Sequence, residues 1–209
     1  MQNNLILPND IEVTSYIGKG RRAYVYKAEL GRKSVIVKVY KIEATKKYLT
    51  KYKVDIAEHE YERNVALFNS PKLASFIAKP LRVYTLTSSY THSMIQEYVP
   101  GVILEDLIVE LGYLPNEALE AGYKIVQEAE RIGVHDLDIS VGNVIVNNDR
   151  GSWQPKLYDF NMMPQYLFPP NVYITLALKL GIRKKSHRDY RSLKNWKRRG
   201  EKRIWIGKN

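Results

Sequence analysis

The chain has 209 residues and a mass of 24.3 kDa, enough for one domain or for two small lobes sharing a core. A composition 44% hydrophobic and 26% charged excludes wholesale disorder. The absence of cysteine excludes a disulfide scaffold, a thiolate zinc site, an iron–sulfur cluster and a thiol nucleophile. The net charge of +11 is unevenly spread: Asn171–Asn209 holds 13 Lys/Arg and 2 acids, whereas positions 1–170 balance. Such an excess points to nucleic acid, an anionic membrane or a phosphate-rich partner, or to a solvated helical face. The opening Met1-Gln2-Asn3-Asn4-Leu5 lacks the basic and apolar regions of a secretory signal, and no apolar run approaches the ~20 residues of a membrane span. A soluble protein is therefore expected.

In chain order, Ile11–Ile17, Ala23–Ala28 and Ser34–Tyr40 are short β-forming runs punctuated by glycine, the pattern of an antiparallel meander. Residues 50–69 are predicted helical from Val54, Tyr61, Val65 and Phe68. Phe76–Leu86 and Met94–Tyr98 return to strand, and Val99-Pro100-Gly101 breaks the pattern. Helices are predicted at 104–111 and 115–132, a small hairpin from Val144–Val146 and Lys156–Tyr158, and a loop around Pro164, Pro169 and Pro170. Two more helices are expected at 171–181, stopped by Gly181, and at 186–199. The expected organisation is an N-terminal lobe over 1–99, a minimal C-terminal lobe over 100–170, and a basic helical segment over 171–209.

Four motifs carry candidate chemistry. Gly18-Lys19-Gly20-Arg21-Arg22-Ala23-Tyr24-Val25 lies between two predicted strands, where glycines let backbone approach phosphate oxygens, although an ordinary hairpin has the same look. Lys38 closes the apolar strand Val35-Ile36-Val37 and needs a carboxylate or phosphate partner unless it snorkels from an edge. Glu62 is the preferred carboxylate, because Val65 and Ala66 follow on its side of the helix, and Glu58 is the alternative. In Val134-His135-Asp136-Leu137-Asp138-Ile139-Ser140-Val141-Gly142-Asn143 an Asp precedes an Asn by five residues and a β run follows. That arrangement fits a phosphoryl-transfer loop, with Asp138 orienting and deprotonating a hydroxyl and Asn143 binding a metal, though an Asp/Asn-rich turn looks alike. Asp136 reads as a brace for the loop, and His135 as a packed loop histidine. Sixteen residues beyond Asn143, Asp159 leaves an apolar strand in Asp159-Phe160-Asn161, a place suited to a hard cation such as Mg²⁺.

With these motifs in this order, residues 12–163 resemble the protein-kinase superfamily. The resemblance implies an α+β, bilobal kinase-like fold with an antiparallel β N-lobe and a truncated, mostly helical C-lobe. It further implies ATP with Mg²⁺, or Mn²⁺ in its place. Gly18, Gly20, Ala23 and Val25 would lie over the nucleotide, Lys38 would hold its phosphates and pair with Glu62, and Glu97 and Val99 would offer backbone groups to adenine beside Gln96. Asp138 would be the catalytic carboxylate, and Asn143 and Asp159 the metal ligands. The departures are informative. Asp136-Leu137-Asp138 lacks the arginine that receives an activation-loop phosphate, Ala23 replaces the third loop glycine, and Asp159-Phe160-Asn161 ends in Asn. Ser140 stands where Ser/Thr kinases carry lysine, as in RIO-type kinases. The chain is similar to small secreted bacterial effector kinases and to lipopolysaccharide-core sugar kinases. The resemblance thus implies a protein Ser/Thr kinase in the cytoplasm or delivered into a host cell, acting on an acidic or host protein. A glycolipid acceptor and a pseudokinase-like binding module are the alternatives, and nucleic acid is not required. In the tail, 11 of the 21 residues from Arg183 to Arg203 are Lys or Arg. Tyr190, Leu193 and Trp196 form one stripe among them that can pack on the body while the rest stays basic.

Overall fold

The computed structural model describes residues 7–86, 91–149, 152–159 and 172–206. The expected proline loop around 164–170 and Phe160-Asn161 lie outside them. The chain divides into two compact units: one is the chain up to Val65 together with Lys79–Tyr98, the other Ala66–Ala78 together with the chain from Val99 onward.

The first unit is an antiparallel sheet of β1 (Ile11–Lys19), β2 (Ala23–Leu30), β3 (Lys33–Tyr40), β4 (Pro80–Leu86) and β5 (Thr91–Glu97), in the order β1-β2-β3-β5-β4. The two-residue period of a strand divides β3 cleanly. Val35, Val37 and Val39 join Ile11, Ala28 and Ile95 in an apolar cluster. Lys38 and Tyr40 point to the opposite face, toward helix α2 (Ile56–Phe68). Between β3 and α2 lie α1 (Ile42–Lys47) and a wide helical turn, Tyr48–Tyr52. The helix expected from residue 50 therefore starts later. Lys53 adopts a left-handed φ of 56° that ends the preceding turn, and Asp55 begins α2 by accepting the Ala57 and Glu58 N–H groups at 2.8 and 3.0 Å. His92 of β5 in turn pairs with the Asp55 carboxylate.

The strand expected from Phe76 begins only at Pro80. Residues Ala74–Phe76 form a 3₁₀ turn, and Ile77 and Ala78 are drawn to the second unit, where Ile77 bridges Leu157 and the Ala78 N–H reaches Leu157 O at 3.0 Å. That unit holds β6 (Val102–Ile103), α3 (Leu104–Leu111), α4 (Asn116–Arg131), the hairpin β7 (Val144–Asp149) and β8 (Ser152–Leu157), α5 (Val172–Lys179) and α6 (His187–Ile206). Gly181, at φ 70°, closes the turn after α5, and α6 runs beyond the expected residue 199. The core joins Leu104, Ile108, Ile125, Leu137, Ile139 and Leu157 to Leu193 and Trp196 of α6. Gly122 lets α4 and α6 approach: a Cβ there would lie 2.7 Å from Leu193 Cδ2. The predicted apolar stripe of the basic segment is thus part of the core. Among the described residues no helix is long and apolar enough to cross a membrane.

Candidate active site

In the first unit the sheet register sets the candidate residues in a row. Gly18 pairs with Val25, and Val25 pairs with Lys38 across β2 and β3. The turn between β1 and β2 is closed by Gly20 N–H on Ala23 O at 2.9 Å, and Lys41 Nζ ties it down by donating to the Gly20 and Arg21 carbonyls at 2.6 and 3.2 Å. Gly18 has no left-handed φ, and a Cβ there would meet nothing within 4 Å. The β1–β2 register shifts between Tyr16 and Gly18, an irregularity where glycine is common, and the open space beside Gly18 leaves the backbone accessible.

Lys38, 4% exposed, donates from Nζ to Glu60 Oε1 at 2.6 Å, and Tyr40 Oη donates to Glu60 Oε2. Glu60 is fully buried. This corrects the expected partner: Glu62 is exposed, and so is Glu58. With Asp55 as cap, the buried stripe of α2 runs Ile56, Glu60, Asn64, Leu67, and Glu62 lies well round the helix from it. A buried ion pair with one oxygen bound to Lys38 and the other to a tyrosine holds the ammonium in one place.

Glu97 closes β5, with its N–H on Lys79 O at 2.9 Å, and the next N–H, of Tyr98, reaches Ser34 O at 3.3 Å. Val99 is buried and opens the second unit.

In the second unit Asp136 and Asp138 both take left-handed φ, 62° and 53°, on either side of buried Leu137. Asp tolerates this region better than most residues, but the conformation still needs holding. Asp138 O accepts from Ser140 N–H at 2.7 Å and from Asn143 Nδ2 at 2.8 Å, so the two chemically marked residues of the loop are bonded to each other. Tyr158 latches the loop to β8: its N–H reaches Asn143 O at 3.1 Å and its hydroxyl reaches Gly142 O at 2.7 Å. Asp159 is the residue that follows this latch. Lys38 with Glu60 belongs to one unit, and Asp138, Asn143 and Asp159 to the other.

The support beneath the loop comes from α6. Asp189, 2% exposed, accepts the Asp136 N–H at 2.9 Å and the Leu137 N–H at 2.8 Å. Arg188 pairs with the Asp136 carboxylate at 3.0 Å, and Trp196 Nε1 donates to Ile139 O at 3.0 Å. Asp136 is thus a brace, as its place in the sequence suggests. Burial raises the Asp189 carboxyl to about 6, against its two backbone donors, and the nearby Asp136 charge adds to the rise. Sequence reasoning missed Asp189, Tyr158 and Lys41. Asp189 alone left a trace, as one of two acids in a segment of 13 bases.

No protein-family model matches the chain, and no curated protein matches it. Solved structures do. The PknI kinase domain of Mycobacterium tuberculosis superposes with a TM-score of 0.62 at 17% identity, over 90% of this chain and 72% of that one. A structure of Rad53 1-466 in complex with AMP-PNP gives 0.54 at 22% identity, over 74% of this chain and 39% of that one. The chain therefore has a protein-kinase-like fold.

Proposed function

We propose that the chain is an ATP-dependent phosphotransferase that moves the γ-phosphoryl group to an alcohol, the hydroxyl of a protein Ser or Thr. The observation that carries this reading is the buried Lys38–Glu60 pair on the row of Gly18. A buried lysine locked by one carboxylate is costly as a structural device, and its value lies in presenting a fixed positive charge. Gly18 leaves room for phosphate beside it. Asn143 and Asp159 would supply oxygen ligands for Mg²⁺, which would neutralise phosphate charge. Asp138 orients the acceptor hydroxyl and takes its proton as the acceptor O–P bond forms and the bond from the γ-phosphorus to the ADP oxygen breaks. The sites therefore read as Lys38 and Asp138 for chemistry, Gly18, Gly20, Ala23, Val25, Glu97 and Val99 around nucleotide, and Glu60 in the role expected of Glu62.

A radiolabelled-ATP assay on a cell lysate tests this, with wild type, Asp138→Asn and Asp159→Ala. Wild type should label Ser or Thr in proteins in a Mg²⁺-dependent way, and Asp138→Asn should slow transfer about 10²–10⁴-fold. Label confined to glycolipid would replace the protein acceptor by a sugar. Nucleotide binding with no transfer to any component would make the chain a binding module instead.

A further inference from the structure

Helix α6 does more than hold up the loop. Arg191, Lys194, Asn195 and Arg198 follow one another at i, i+3, i+4 and i+7, and with Lys197 and Tyr123 of α4 they line a cavity of about 460 Å³. On the neighbouring face, Ser192, Asn195, Trp196 and Arg199 line a cleft of about 190 Å³ with Glu105 and with Ser140, Val141 and Gly142. Asn195 borders both spaces. The loop wall of the smaller one is Ser140–Gly142, between Asp138 and Asn143, so the basic cavity and the candidate catalytic loop lie on either side of Asn195 within a single unit.

The charges there are uneven in their pairing. Arg188 is bound to Asp136 and Arg199 to Glu105 at 2.5 Å. Arg191, Lys194, Lys197 and Arg198 are exposed and have no ion pair among the described residues. They stand three or four residues apart, where like charges repel. They are also presented rigidly, because Leu193 and Trp196 beneath them are buried in the core. A fixed row of repelling cations around a cavity is complementary to a run of carboxylates. Between His187 and Gly200 the large apolar side chains of α6, Leu193 and Trp196, are turned inward, so this face offers cations without the apolar residues that insert into a bilayer.

We propose that this face of α6 is a docking groove for an acidic, Asp/Glu-rich segment of the protein acceptor, which it feeds toward Asp138. The proposal rests on the phosphotransferase reading for the acceptor's role, but docking itself is measurable without turnover. The probes are two serine peptides of equal length, one carrying a run of glutamates beside the serine and one carrying glutamines. The variant is Arg191→Gln/Lys194→Gln/Arg198→Gln in the full chain, with thermal melting to check that it folds. By fluorescence anisotropy, wild type should bind the Glu peptide on the order of tenfold more tightly than the Gln peptide, and salt should erode the difference. The triple variant should lose that preference. In the transfer assay the same preference should appear in KM and vanish in the variant, while kcat on the Gln peptide stays unchanged. Equal binding of both peptides by wild type, or a preference surviving in the variant, overturns the groove. So does a substitution that weakens binding to phosphatidylserine vesicles or single-stranded RNA while leaving Glu-peptide binding intact. Peptide docking without any phosphoryl transfer supports the groove and overturns only the phosphotransferase reading.

Discussion

The two units hold their candidate chemical groups by opposite means. In the first, side chain holds side chain: the Lys38 ammonium is fixed by the buried carboxylate of Glu60, 22 positions further on, whose other oxygen accepts from the Tyr40 hydroxyl. In the second, side chain holds backbone: Asp189 grips two N–H groups of the loop, those of Asp136 and Leu137, from 53 and 52 residues away. A buried charge is thus neutralised by a side chain beside it, whereas a loop in a rare backbone conformation is held through its main chain.

The largest expected effect breaks the first arrangement. Glu60→Gln leaves a buried ammonium without its counter-charge and should cost about 3–5 kcal/mol in urea unfolding, while Glu62→Gln should stay within about 0.5 kcal/mol. Equal effects of the two substitutions would return the pairing to Glu62. Next, Asp189→Ala orphans two buried N–H groups. It should cost about 2–4 kcal/mol and lower kcat for transfer with little change in the nucleotide Kd, because the damage is confined to the second unit. A matching loss of nucleotide affinity would contradict the separation of roles. Smaller still, Gly122→Ala pushes a methyl against Leu193 and Trp196 and should cost about 1–3 kcal/mol, read as a lower melting temperature.

The smallest effect is in pH. The Asp189 carboxyl stands at about 6 in the folded chain against an ordinary 3.8, so the native state binds that proton more tightly than the unfolded chain does. Its contribution to stability is full below about 4 and is lost as pH rises toward 6. Urea titrations of wild type and Asp189→Asn should therefore converge or diverge across that window, with wild type losing ground as pH rises. Parallel curves would show that the group does not titrate there.

Much of the fold is legible in local pattern. The β3 alternation, the helix at 104–111 and the pairing of Val144–Val146 with the strand that ends at Leu157 follow directly from periodicity, although the strands run on through Asn147–Asp149, where a turn is expected. So do Lys38, Asp138, Asn143 and Asp159 as marked residues, because motif spacing is local. The partner of Lys38 is a matter of helix phase. Val65 and Ala66 suggest the phase that favours Glu62, but Asp55, a cap immediately before Ile56, sets another and turns Glu60 inward. Tyr158 could not be read at all, and Asp189 showed only as a rare acid in a basic segment, since their work is to satisfy backbone groups that reveal no sequence preference of their own.

The span from Asp136 to Asp189 also has a meaning in time. As the chain leaves the ribosome, the loop emerges 53 residues before the carboxylate that grips it. At roughly 5–20 residues per second, the two left-handed aspartates wait roughly 3–10 s for their support. The strands of the first unit can be complete well before then. Closure of the 136–143 loop is a late event of synthesis, which waits until the basic helix that grips it has itself been made.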